Sequence, residues 1–79
     1  MPPRAKGHRL PEAIKFGQRV RALREAKDWS LEQLAEAAGM NPLQVGHIER
    51  GASDVKLSTI LKLARALGTT GSELLRSIR

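Results

Sequence analysis

SLEQLAEAAGMNPLQVGHIERG, residues 30–51, contains two helix starts and two helix stops in one short span. Ser30 and Gln33 are spaced as an S-x-x-Q capping box, in which each residue satisfies a backbone N–H of the other. The helix that follows runs to Ala38, with Leu34, Ala35 and Ala38 turned inward. Gly39 stops it, because glycine takes the left-handed conformation after a helix at no steric cost. Asn41 then caps a second helix, and Pro42 fills its first position, where a missing N–H costs nothing. Gln44 completes a second box-like pair with Asn41. This helix ends near Arg50, with Gly51 as its stop. Val45 and Ile48 face a core. The other face holds Leu43, His47 and Arg50, an odd mixture for a plain solvated surface.

Upstream, residues 11–26 read as a first helix. Pro11 suits its first turn, and Phe16, Val20 and Leu23 recur at i, i+4, i+7 as one buried stripe. Lys15, Arg19 and Arg21 lie largely off that stripe. Residues 27–29 connect to Ser30, with Trp29 packing into the core or between helices. Downstream, Leu57, Ile60, Leu61, Leu63, Ala64 and Leu67 make a wide apolar face on a fourth helix, and Gly68 ends it. Thr70 and Glu73 supply a third capping box, for a fifth helix over residues 71–78. No segment alternates with period 2, so the expected fold is all-α, a compact five-helix bundle over residues 10–79. Residues 1–9 lack apolar periodicity and contain two prolines and a glycine, and read as a flexible basic arm.

Composition narrows the function. The 79 residues allow one small domain with a thin core, burying about 60% of its unfolded surface. Fourteen Lys/Arg against eight Asp/Glu give a net charge of +6. Arg4, Lys6 and Arg9 sit in the arm without an acid, and the remainder is basic as well. Such a balance favours a polyanionic partner, above all nucleic acid. There is no cysteine, which fits a reducing, cytoplasmic location. No apolar run approaches the roughly 18 residues of a membrane span, and no apolar stretch follows the basic N-terminus as in a signal peptide. With two histidines, no phosphate loop and no His/Asp/Glu cluster at ligand spacing, neither an enzyme nor a metal or other cofactor is expected.

Two short helices joined through Gly39, Met40 and Asn41 match the helix–turn–helix, whose second helix enters the DNA major groove. RALREAKDWSLEQLAEAAGMNPLQVGHIERG and the later LSTILKLARALG resemble the Cro/C1-type, or Xre, family. The markers are Leu34-Ala35, Gly39, Ile48-Glu49 with Gly51, and the leucine-rich helix ending Leu67-Gly68. The resemblance covers about residues 16–75 and implies the lambda-repressor-like helix–turn–helix bundle.

It also implies roles. The second helix would lie across the DNA backbone and the third would enter the groove. An arginine of helix 1 pairs with the glutamate near the end of helix 3, here Arg24 and Glu49; the glutamate falls on the Val45/Ile48 side, where a carboxylate needs a partner. Phosphate contacts fall at Ser30 and Leu31 and at Arg50, Gly51, Ala52 and Ser53. Base contacts fall at Pro42, Leu43, Gln44 and His47. Pro42 offers no polar group, Leu43 only an apolar contact such as a thymine methyl, and Gln44 a bidentate contact to adenine. His47 can donate to guanine or to a phosphate. Gly46 costs the helix roughly 1 kcal/mol against Ala and permits close approach of its backbone. Leu31 stands where the family often places Gln, which binds phosphate and buttresses helix 3. Leu31 can do neither, although backbone N–H groups at that helix start can still hold a phosphate. Arg4 and Lys6 could enter an adjacent minor groove.

The function implied is a sequence-specific transcriptional regulator binding double-stranded DNA as a homodimer on a pseudo-palindromic operator, autoregulatory as in restriction–modification controller proteins. Leu74, Leu75 and Ile78, with the helix-4/5 surface, are the expected dimer contact. Two other readings share the fold. One is an antitoxin, which binds DNA and also a toxin partner. The other is an interaction module that has lost base readout. RNA polymerase is a further conceivable protein partner. Each DNA-facing residue also has a plain reading: Leu43 as a single exposed leucine, Gln44 as a cap, Arg50 as a solvated charge.

Overall fold

The computed structural model describes residues 11–52 and 54–76. The arm with Arg4 and Lys6, and also Ser53 and Ile78, lie outside the described residues. Five helices run α1 Pro11–Ala26, α2 Leu31–Ala38, α3 Pro42–Glu49, α4 Leu57–Ala66 and α5 Gly71–Leu75. Among the described residues every regular element is helical. α1 packs on α3 and α5, α2 on α3 and α4, and α4 on α5. All five surround one core of Phe16, Val20, Leu34, Ala35, Ala38, Val45, Ile48, Leu63, Ala64, Leu67 and Leu74. No helix there is long and apolar enough to cross a membrane.

The capping chemistry sets the element boundaries. At α2 the Ser30/Gln33 box is complete: Gln33 N–H donates to Ser30 Oγ at 3.1 Å, and Ser30 N–H donates to Gln33 Oε1 at 2.7 Å. Gly39 ends α2 with φ +68. At α3 Asn41 Oδ1 accepts from Leu43 N–H at 2.8 Å. Gln44 forms no reciprocal bond, contrary to the expected second box. The short Asn side chain caps the second helical residue rather than the third, and the Gln44 side chain stays exposed. At α5 Thr70 Oγ1 accepts from Glu73 N–H at 3.1 Å. Its box is only half formed, because the Glu73 carboxylate turns to Arg76 at 2.9 Å and Arg19 at 3.5 Å.

Two features of the apolar pattern differ from expectation. The apolar face of α4 is narrower than its sequence implies. Leu63, Ala64 and Leu67 are buried, but Leu57 is 70% exposed and Leu61 46%. These two stand on the flank of the stripe, beyond the arc that α2 and α5 cover. Leu74 is fully buried, so it belongs to the monomer's core and is not available to a dimer contact. Trp29 is half-buried against the core, as expected, with Lys27 Nζ 5.1 Å from its ring centroid.

Gly17 governs how closely α1 and α3 approach. It lies mid-helix, where glycine costs about 1 kcal/mol against alanine, yet it is buried. A Cβ there would fall inside contact distance of the Ile48 carbonyl oxygen and 2.6 Å from that of Glu49. The end of α3 therefore rests directly on the α1 backbone. Gly51, at φ +71, continues this contact, with its missing Cβ facing Ile14 Cα at 2.7 Å. Nothing in the apolar periodicity of α1 marks Gly17, because the stripe around it reads normally without it.

Gly17→Ala is therefore expected to lower stability although it raises helix propensity. Forcing the α1 and α3 backbones apart should cost about 1–3 kcal/mol or more, read as a lower urea midpoint at unchanged m-value. A midpoint that rises would reject the close α1–α3 contact.

Candidate nucleic-acid interface

The unit formed by α2, the turn and α3 is held from behind by Arg24, in the last turn of α1. Its Nε donates to Glu49 Oε2 at 2.7 Å and its Nη2 to Glu49 Oε1 at 3.1 Å. Its Nη1 donates to the Trp29 carbonyl oxygen at 2.6 Å. One guanidinium thus ties together the end of α1, the connection to α2 and the end of α3. The side chains are 13% and 6% exposed, so this is a buried bidentate pair, the geometry in which a planar arginine fork is strongest. The hydrogen bonds that Arg24 donates to Glu49 raise its pKa above the ordinary arginine value, against the opposing effect of burial. A raised pKa means that the stabilisation is complete below the ordinary arginine range and is lost only as pH climbs through the still higher folded value. Arg24 is thus charged at any physiological pH.

With Val45, Ile48 and Glu49 facing inward, α3 turns its other side to solvent. Pro42, Leu43, Gln44, His47 and Arg50 are all exposed, Leu43 at 66%. The fold thus brings together the four positions expected to read bases. Ser30 is exposed at the start of α2, its hydroxyl oxygen already accepting the Gln33 N–H.

Leu31 departs from its expected role. It is half-buried, packs against the core, and its Cδ1 lies 3.7 Å from where a Gly46 Cβ would be. Leu31 therefore braces α3 after all, by apolar contact rather than by a hydrogen bond.

Sequence reasoning also missed a polar cleft of about 250 Å³ beside α3, lined by Gln44, Ile48, Asp54, Val55, Lys56, Ser58, Thr59 and Lys62. It sets Lys56 and Lys62 beside Gln44. Their sequence signal, two lysines at and within α4, is visible only once the start of α4 is seen to share a cleft with α3.

A braced pair of short helices, the second with its outer face free and cationic side chains nearby, defines a helix–turn–helix DNA-binding domain. Residues 15–76 match the model of a helix-turn-helix domain family, and the chain belongs to that family. Control protein C.SmaI of Serratia marcescens is 41% identical over 60 residues, covering 76% of this chain and 71% of that protein. The crystal structure of the restriction-modification controller protein C.AhdI from Aeromonas hydrophila superposes with a TM-score of 0.80 at 48% identity, covering 82% of this chain and 98% of that one. An HTH-type transcriptional regulator of Mycobacterium tuberculosis is 44% identical over 52 residues, 66% of this chain; the chain spans only 20% of that relative's length.

Removing the Glu49 carboxylate should leave the Arg24 charge buried without its partner. Glu49→Ala is expected to cost about 3–5 kcal/mol, and Arg24→Lys less, since an ammonium retains charge but not the fork. Equilibrium denaturation of both variants checks the ranking; a Glu49→Ala protein as stable as wild type would overturn the clamp.

Proposed function

We propose that the protein is a sequence-specific transcriptional regulator that places α3 in the DNA major groove and acts as a homodimer on a pseudo-palindromic operator. The observation that carries this reading is the outer face of α3. Its Pro42, Leu43, Gln44, His47 and Arg50 side chains are exposed, while α3 is anchored by the Arg24–Glu49 pair, Gly17 and Leu31. A helix held this firmly, with these side chains open to solvent, is suited to dock as a rigid body. His47 and Gln44 supply the polar base contacts, and Leu43 an apolar contact to a thymine methyl. The backbone N–H group of Leu31, at the first position of α2, positions a phosphate there. The overlap with two controller proteins along most of the domain supports an autoregulatory, controller-like role.

One domain of this size reads few bases, so two copies on half-sites about one helical turn apart are needed for useful specificity. The dimer surface lies on α4 and α5. Leu57 and Leu61 are one turn apart and exposed, and Leu75 is 39% exposed. A Cβ on Gly71 would lie 3.7 Å from Leu61 Cδ2, so the start of α5 abuts Leu61 and carries the apolar surface on toward Leu75. Three exposed leucines on adjoining helices form the kind of patch that a monomer rarely leaves open.

Selection of binding sites from random duplexes tests the reading. The expected product is a palindromic consensus bound with a steep salt dependence; binding without any consensus would reject it. His47→Ala should relax preference at one position of each half-site, by about 1–3 kcal/mol. An equal loss on every sequence would remove His47 from base readout.

Leu57→Glu combined with Leu61→Glu tests the dimer. Both side chains are exposed, so the fold should persist by circular dichroism while sedimentation equilibrium shows a shift to monomer and operator affinity falls. A dimer that survives the double substitution would place the interface elsewhere.

A further inference from the structure

The family resemblance implies a contact between Arg50, immediately after α3, and the phosphate backbone. Its side chain takes a different course. A Cβ built on Gly46 would lie 3.3 Å from Nη1 and 3.7 Å from Nη2 of Arg50. The guanidinium therefore turns back along α3 by about one turn, the direction in which helical side chains lean. Gly46 is buried although it carries no side chain. Arg50 and Leu31 both approach it. Arg50 itself is exposed, and among the described residues no carboxylate pairs with it.

The seat lies on the outer face of α3. Leu43, Gly46, His47 and Arg50 follow the i, i+3, i+4, i+7 spacing of a single helix face. The guanidinium rests at the level of Gly46, within that face, and not beyond the end of the helix. We propose that Arg50, seated over Gly46, is a specificity-determining residue that reads a guanine in the major groove. This rests on the reading that α3 docks in that groove.

The chemistry of the seat fits this role. A guanidinium presents a planar fork of donors that matches O6 and N7 of guanine, and it is weakly hydrated, so lying along the bare helix backbone costs it little. The bare backbone at Gly46 gives the fork room to lie close to the helix axis. Any larger side chain at 46 would occupy that space and push the fork outward. Gly46 thus loses helix propensity and gains a place for the guanidinium. Orienting the fork before docking reduces the ordering cost that a free arginine would meet on binding.

The test compares selected binding sites and salt dependence for wild type, Arg50→Lys, Arg50→Ala and Gly46→Ala. Wild type is expected to prefer guanine at one position that Arg50→Lys leaves nearly open, a fall of about tenfold or more in that preference. The rest of the consensus and the salt slope should be kept, because lysine retains the charge but not the fork. Gly46→Ala should weaken the same preference. Alanine is the better helix former, and its Cβ meets only the flexible end of Arg50 at 3.3 Å, so the unfolding midpoint should not drop. A consensus unchanged in Arg50→Lys, with Arg50→Ala weakening all sequences alike and reducing the salt slope by about one, would overturn the assignment and make Arg50 a phosphate contact. A wild type with no consensus at all would overturn both this assignment and the docking of α3 on which it rests.

Discussion

The Arg24–Glu49 pair is the constraint on which the rest of the structure depends. Burying two charges in a thin core is expensive, and an apolar pair of similar volume would often be as stable. The pair offers direction instead. Arg24 donates three hydrogen bonds, two to the carboxylate of α3 and one to the Trp29 carbonyl just before α2. A hydrophobic contact tolerates rotation and sliding, whereas this fork is satisfied at one relative placement of three chain segments. The angle between α2 and α3 is what a helix–turn–helix must hold constant, and here a buried hydrogen-bond network holds it.

Steric contact completes what the charges begin. Gly17 lets the end of α3 sit on the α1 backbone, which shortens the distance that Arg24 has to span. On the other side of α3, Leu31 reaches the bare backbone at Gly46. α3 is only eight residues long, too short to persist on propensity in isolation. With glycine at its fifth position it is weaker still. Its stability therefore comes from its supports, and its outer face is left free of structural duty. The same face can then carry a proline, a leucine and a glycine, residues that a self-supporting exposed helix would avoid.

Much of this was legible in the sequence, for a local reason. Ser30/Gln33, Gly39, Asn41 and Pro42 act within four residues of themselves, so their effect on the chain can be read where they stand. The Leu34, Ala35, Val45 and Ile48 positions follow from helical period alone. What was not legible depends on neighbours distant in the chain. Gly17 matters because residues 48 and 49 lie against it, and Leu31 braces α3 because residue 46 lies beside it. Glu73 leaves its capping box because Arg19 and Arg76 compete for it. Leu57, Leu61 and Leu74 were assigned to the wrong sides because periodicity gives the centre of an apolar stripe, not the arc that its neighbours cover. The Arg24–Glu49 pair is the exception, a long-range contact foreseen from family resemblance and from the inward placement of Glu49, but not from local pattern.

The distribution of leucines bears on function. A chain of 79 residues with one Phe, one Trp and no Tyr must build its core from aliphatics, and the core uses Leu34, Leu63, Leu67 and Leu74. Four more leucines, 43, 57, 61 and 75, remain substantially exposed, although the core has need of every large side chain it can bury. A single exposed leucine needs no explanation, but these four fall in two groups. Three lie on the adjoining surfaces of α4 and α5, where a second copy would cover them. The fourth, Leu43, stands alone at the first turn of the reading helix, between Pro42 and Gln44. Burial against another protein would demand a wider apolar surround than its polar neighbours provide. Contact with a single methyl group on the floor of a groove requires only that one side chain, and it leaves the adjacent polar groups free to meet base edges. On the proposed reading the two groups therefore serve different partners, another protein surface at α4 and α5 and a nucleic acid at α3.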